Sequence, residues 1–252
     1  KIFQRTDGQQ MGIPVAIVTD LDVRSIEYYQ DDPDEERIKK ILQCTERVKG
    51  ELAEKCPSVD FNDLPEYIKT KAELNDYLLP HKKAGVRGKG IKKEERVAAI
   101  TYFEEHAAAI TAAAIEHERQ IKTSELDAIY PEGDIKLFAA KHWTLEYEIA
   151  KSSLYQEMAA SVFLAKAEQA GKELTVEEAK KQAEATYKDG TNEAVAYEIF
   201  KPINDGTVSK AIVAQYLAAI IESGDRDYKN LFETDESLAY LTKAINHVTS
   251  RA

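Results

Sequence analysis

An uninterrupted apolar, largely β-branched run ends abruptly in two carboxylates at Ile13-Pro-Val-Ala-Ile-Val-Thr-Asp20-Leu-Asp22. Such a run reads as a buried strand of an open α/β sheet, and the acids fall where it leaves the core. Ligands of such sheets gather outside the carboxyl ends of the strands, so Asp20 and Asp22 stand at the expected functional rim. Side chains two apart on a strand share a face. Two carboxylates on one edge repel each other and lose hydration, a conflict that a divalent cation relieves. The plainer alternative is that both acids only end the strand, since Asp favours turns.

With 252 residues the chain can bury a substantial core, and its length suggests about one to two domains. The formal net charge of -11 argues against a generally basic nucleic-acid coat and leaves a local basic surface open. Cys44 and Cys56 have neither a second pair nor nearby histidines at zinc spacing, so free thiols in a reducing cytoplasm are expected. No apolar run approaches the roughly 20 residues that span a bilayer, and no signal peptide is visible at Lys1. The first residue is Lys rather than Met and the strand follows soon after, so a fragment of a longer polypeptide is expected.

Beyond the strand, residues 34–54 carry a narrow apolar stripe (Ile38, Ile41, Leu42, Leu52) among many charges, the pattern of a surface helix. A short helix is expected from Pro65 to Leu79, broken by Pro80 and by Gly85-Val-Arg-Gly-Lys-Gly90. Val97, Ile100, Phe103, Ala107, Ile110, Ala114 and Ile121 recur at helical steps and predict a long helix from Lys93 to Lys122. Pro131-Glu-Gly133 then leads into a second strand, Asp134 to Phe138. Thr144 caps a predicted helix running to about Ala170, ahead of Gly171. Thr175 and Glu178 form a capping box for the next, which ends near Asp189-Gly190. Further helices are expected at Lys210–Ser223 and from about Ser237 to Val248. Few strands and many helices point to a small α/β core carrying a large helical insertion.

Three further features bear on chemistry. With Ser209 or Thr207 as N-cap, Lys210 occupies a first helical turn, where the dipole disfavours a cation by a few tenths of a kcal/mol or more. A lysine beside orphan amides suits a phosphate, and a solvated lysine is the alternative. Glu146, in the segment Lys141-His-Trp-Thr-Leu-Glu146-Tyr-Glu148 after the second strand, is explained by the dipole of a first turn without any metal, and Trp143 reads as core. The stretch from His81 to Lys93 holds Lys82, Lys83, Arg87, Lys89, Lys92 and Lys93 and no acid, so it reads either as a phosphate-tracking glycine loop or as a solvated linker. It is no P-loop, because no Ser or Thr follows Lys89. His106 and His117 are expected to face solvent.

Taken in order, Ile-Pro-Val-Ala-Ile-Val-Thr-Asp-Leu-Asp22, Trp143-Thr-Leu-Glu-Tyr-Glu-Ile-Ala150 and Ser209-Lys-Ala-Ile-Val-Ala-Gln-Tyr-Leu-Ala218 resemble the C-terminal TOPRIM part of OLD-family (overcoming lysogenization defect) nucleases. The resemblance implies a TOPRIM-like, mainly parallel small sheet with flanking helices, and a Mg²⁺- or Mn²⁺-dependent DNA endonuclease using two ions. It implies Asp20, Asp22 and Glu146 as metal ligands, with Glu148 able to exchange roles with Glu146, and Lys210 as the residue that stabilises charge on the scissile phosphate. It also implies DNA as partner, an N-terminal ABC-type ATPase region, assembly as a homo-oligomer, and a role in phage defence. TOPRIM domains also use a glutamate on an earlier strand in a Val-Glu-Gly-like motif. Nothing before Ile13 supplies it, and no ATPase motif is present, so a chain cut inside the TOPRIM fold is expected.

The expected organisation is a TOPRIM core at residues 1–60 and 134–252, interrupted by a helical insertion at residues 61–133. Two other readings compete. In a haloacid dehalogenase-like phosphatase, Asp20 would be nucleophile, Asp22 the general acid/base, Lys210 the phosphate partner, and Asp225 and Asp227 the Mg²⁺ ligands. That motif prefers Thr or Val where Arg24 stands, and its acids should follow a strand, whereas Lys210–Ser223 is helical in period. The other reading is a non-catalytic helical interaction module with vestigial carboxylates.

Overall fold

The computed structural model describes residues 13–31, 46–60, 71–78, 82–83, 86–87, 91–130 and 133–249. It is a mixed α/β protein, mostly helical, built around a small parallel sheet. The chain divides into two compact units, Lys1–Val23 with Lys122–Ala252, and Arg24–Ile121. These boundaries fall at 23/24 and 121/122, not at the expected 60/61 and 133/134.

In the first unit, strand β1 (Val15–Thr19) is followed in the sheet by β4 (Ile135–Ala139), paired parallel in the register Val15↔Ile135 to Thr19↔Ala139. The β1 run was expected to be buried, but it is half-buried and Val18 is 47 % exposed. Among the described residues the sheet has only these two strands, so β1 has a single strand neighbour to cover it. Helix α11 (Ala239–Thr249) packs against both strands.

After β4 come α5 (Leu145–Lys151), α6 (Tyr155–Gln169), α7 (Val176–Thr186), α8 (Glu193–Asn204), α9 (Lys210–Ser223) and α10 (Tyr228–Thr234). Helix α6 is the hub, packed on α5, α7, α8 and α9, and the fully buried Leu154, Met158, Ile199 and Ile220 lie in this bundle. A helix in contact with neighbours on several sides is apolar around most of its circumference, as Met158 to Ala165 shows.

One continuous helix from Thr144 to Ala170 was expected, but the chain breaks at 152–154. The Ser152 hydroxyl donates to the Ile149 carbonyl at 2.8 Å and accepts from the Leu154 N–H at 3.1 Å, giving the backbone an alternative to the helical ladder. The Ser153 N–H is meanwhile taken by Asp235 Oδ2 at 2.7 Å, a partner 82 residues away that local periodicity does not reveal. Helices α8 and α10 were also not foreseen. Asn192 caps α8 through the Val195 N–H, and Pro202 sits in its last turns, which hides the pattern. The capping box at Thr175 and Glu178 forms as expected.

The second unit contains α1 (Ile26–Asp31), α2 (Glu46–Lys55), α3 (Lys71–Leu78), the short antiparallel strands β2 (Lys82–Lys83) and β3 (Val86–Arg87), and most of α4 (Lys93–Ile129). Helix α4 has 37 residues and outruns the expected stop at Lys122. The basic stretch, expected as loop or linker, thus carries a two-residue ladder; its residues 84–85 and 88–90 lie outside the described residues, as do 34–45, 65–70 and Cys44. Cys56 is a buried free thiol. Among the described residues no helix is long and apolar enough to cross a membrane.

Candidate functional site

The C-terminal ends of β1 and β4 are laced together by backbone groups. The Trp143 carbonyl accepts from the N–H groups of Leu21 at 2.9 Å and Asp22 at 3.0 Å, and Ala140 N–H donates to the Thr19 carbonyl at 2.9 Å. Trp143 is fixed by packing against Tyr147, Tyr197 and Phe200, with the Phe200 ring centroid 4.9 Å away, so it is core as expected. Thr144 caps α5 by accepting from the Tyr147 N–H.

Strand β1 stops at Thr19, so Asp20 and Asp22 lie in the following loop, and the expected shared strand face does not place them. Asp20 is half-buried and its Oδ1 accepts from the Leu145 N–H at the start of α5, at 2.9 Å. Asp22 is exposed and adopts a left-handed backbone, φ 58°, which Asp tolerates better than most residues. Lys122 Nζ donates to the Asp22 carbonyl at 3.1 Å.

Two acids in the first turn of α5 part company. Glu146 is 13 % exposed and its Oε1 lies 2.9 Å from the ammonium of Lys210. Glu148 is fully buried and faces the other way, accepting from the His142 N–H at 2.5 Å and standing 3.0 Å from His142 Nδ1. His142 Nε2 meets Lys151 Nζ at 2.9 Å, and Lys151 pairs with Glu193 at 2.8 Å. This chain from Glu148 to Glu193 clamps the turn that carries Trp143 and was not foreseen; His142 stood unremarked beside the only Trp. Buried polar groups persist where each finds a partner, which is what the chain supplies.

Lys210 is the first residue of α9, after Ser209 as N-cap, and the Ser209 side chain makes no capping hydrogen bond. The hydrogen bond to Glu146 holds the Lys210 ammonium above the ordinary lysine range; partial burial works against this, and the charges of Glu146, Asp20 and Asp22 add to it. Burial pushes the Asp20 carboxyl up, opposed by its bond from Leu145 and by Lys210, and reinforced by the charges of Glu146 and Asp22. Four side chains from three distant segments therefore share one electrostatic neighbourhood.

Chemically the acids are hard oxygen donors of the kind magnesium takes. Among the described residues, no group of three or more His, Cys, Asp or Glu is arranged to hold a metal ion. The set therefore fits a cation that keeps most of its water and binds through one or two carboxylates, the usual habit of Mg²⁺, and not an all-protein cage.

The acids required by a phosphatase are placed differently. Asp227 caps α10 through the Asn230 N–H, and Asp225 lines a small polar cavity with Glu157, Lys180 and Arg226; neither is among the charges acting on Asp20. Lys210–Ser223 is a helix. His117 is exposed, and the side chain of His106 lies outside the described residues. No protein-family model, no curated protein and no solved structure matches this chain.

Proposed function

We propose that Asp20, Asp22, Glu146 and Lys210 form the phosphodiester-cleaving site of a Mg²⁺- or Mn²⁺-dependent DNA endonuclease of the OLD-family TOPRIM type. The observation that carries this reading is the Lys210–Glu146 pair at 2.9 Å, standing beside Asp20 at the carboxyl ends of the two parallel strands. A solvated lysine or a strand-ending aspartate needs no such meeting. The finer identity, a piece of a TOPRIM fold fused to an ABC-type ATPase and acting in phage defence, rests on the motif resemblance.

In this reading Asp20 and Asp22, with Glu146, would hold the cation, whose chemistry is to polarise the phosphate and make water a nucleophile near neutral pH. Asp20 is kept in place by the Leu145 N–H, and Asp22 by the Trp143 carbonyl and Lys122. Lys210 stands at the first turn of α9, where orphan amides favour an anion. An arriving phosphate oxygen competes with Glu146 for the Lys210 ammonium, which then offsets the charge that builds on the phosphorus oxygens during attack.

The test is nicking of supercoiled plasmid DNA with Mg²⁺ or Mn²⁺, against hydrolysis of a small phosphate ester. Metal-dependent nicking that chelation stops, and that Asp20→Ala and Lys210→Ala each abolish in folded protein, is the expected result. Ester hydrolysis without nicking favours a phosphatase. Neither activity, or nicking unchanged in both variants, leaves a helical interaction module as the better reading.

A further inference from the structure

Helix α11 is bracketed along the sheet at both ends. Just before it, Glu236 reaches Lys141 at 3.7 Å, beyond the carboxyl end of β4. Near its other end, His247 Nε2 donates to the Asp134 carbonyl at 2.9 Å, before β4 begins. The helix therefore runs against the strand direction, and its first turn lies toward the rim that bears the acids. In that turn stands Tyr240, only 9 % exposed, with a hydroxyl that has no hydrogen-bond partner.

An orphan hydroxyl in a buried site is costly and calls for an explanation. Burial pushes the Tyr240 phenol far up, and the charges of Glu148, Asp20 and Glu146 push it further, so the hydroxyl stays protonated and faces a field of acids. A phenol can both accept and donate one hydrogen bond. A cation held by one or two carboxylates keeps several waters, and those waters need acceptors in turn.

We propose that Tyr240 is a positioning residue of the acidic rim, its hydroxyl accepting from a water carried by a bound divalent cation while donating to a neighbouring carboxylate. The inference rests on the metal-binding part of the reading above and not on DNA cleavage.

The test is isothermal titration of the 252-residue chain with Mn²⁺ alone, comparing the wild-type protein with Tyr240→Phe, together with thermal melts of both without metal. Loss of an outer partner of a metal site weakens affinity by about 10–100-fold. The expected result is a Kd raised by about tenfold or more, with a metal-free Tm equal to or above that of the wild type, because the orphan hydroxyl is gone. An unchanged Kd overturns the role of Tyr240 alone. A lowered metal-free Tm also overturns it, since the hydroxyl then has a structural partner. Wild-type protein that takes up no Mn²⁺ removes the cation reading itself, and Tyr240 with it.

Discussion

Glu146 and Glu148 stand two residues apart in one helical turn, and their removal is expected to have opposite consequences. Glu148 is fully buried and receives the His142 N–H at 2.5 Å and faces the His142 ring at 3.0 Å. Glu148→Ala leaves both His142 groups without that partner in a buried turn and opens space behind them. Breaking a buried pair by removing one member costs about 3–5 kcal/mol. At about 2–4 °C per kcal/mol for a body of 150–250 residues, Tm should fall by roughly 6–20 °C. Glu146 meets a lysine that is 61 % exposed, so solvent screens the pair. Glu146→Ala should therefore cost about 0–1 kcal/mol, with Tm moving by no more than about 4 °C. Differential scanning calorimetry of both variants and the wild type measures the difference. Equal losses, or a larger loss for Glu146→Ala, would refute the division into a clamping acid and a rim acid.

Other perturbations probe the same site and its scaffold. Asp20→Asn keeps the acceptor for the Leu145 N–H and removes a charge that burial disfavours. Because the folded carboxyl is raised above its ordinary 3.8, the ionised form weakens the fold above the folded pKa, and the penalty vanishes as pH falls toward and below 3.8. Asp20→Asn should thus melt higher than wild type at pH 7 and equally at pH 3; a lower Tm at pH 7 would contradict this. Trp143→Ala, which empties the cluster with Tyr147, Tyr197 and Phe200, should cost about 3–5 kcal/mol in urea unfolding, and a loss below about 1 kcal/mol would place the ring outside the core. Thr175→Ala, which removes the cap of α7, should cost about 1 kcal/mol by the same method and leave DNA cleavage unchanged.

What could be read in the sequence depended on the reach of the interaction concerned. The Thr175–Glu178 box, Lys210 at the head of its helix and the strand ahead of Asp20 are all set by neighbours within a few residues, and all were legible. The break at Ser152–Leu154 depends on Asp235, and the retreat of β1 from full burial depends on how many strands flank it; neither is written locally. The choice between Glu146 and Glu148 was open for the same reason. Both suit a first helical turn, and only Lys210 on one side and His142 on the other separate them. Tyr240 offered no local signal at all, because its interest lies in an orphan hydroxyl that appears once α11 is laid on the sheet.

The most direct measurement is a crystal structure of the protein grown with Mn²⁺, collected at the manganese absorption edge. The expected result is an anomalous peak within ligand distance of the Asp20 or Glu146 carboxylate, with Lys210 displaced from its 2.9 Å contact. Fully occupied manganese bound elsewhere, with Lys210 still seated on Glu146, would contradict a metal-dependent site at this rim.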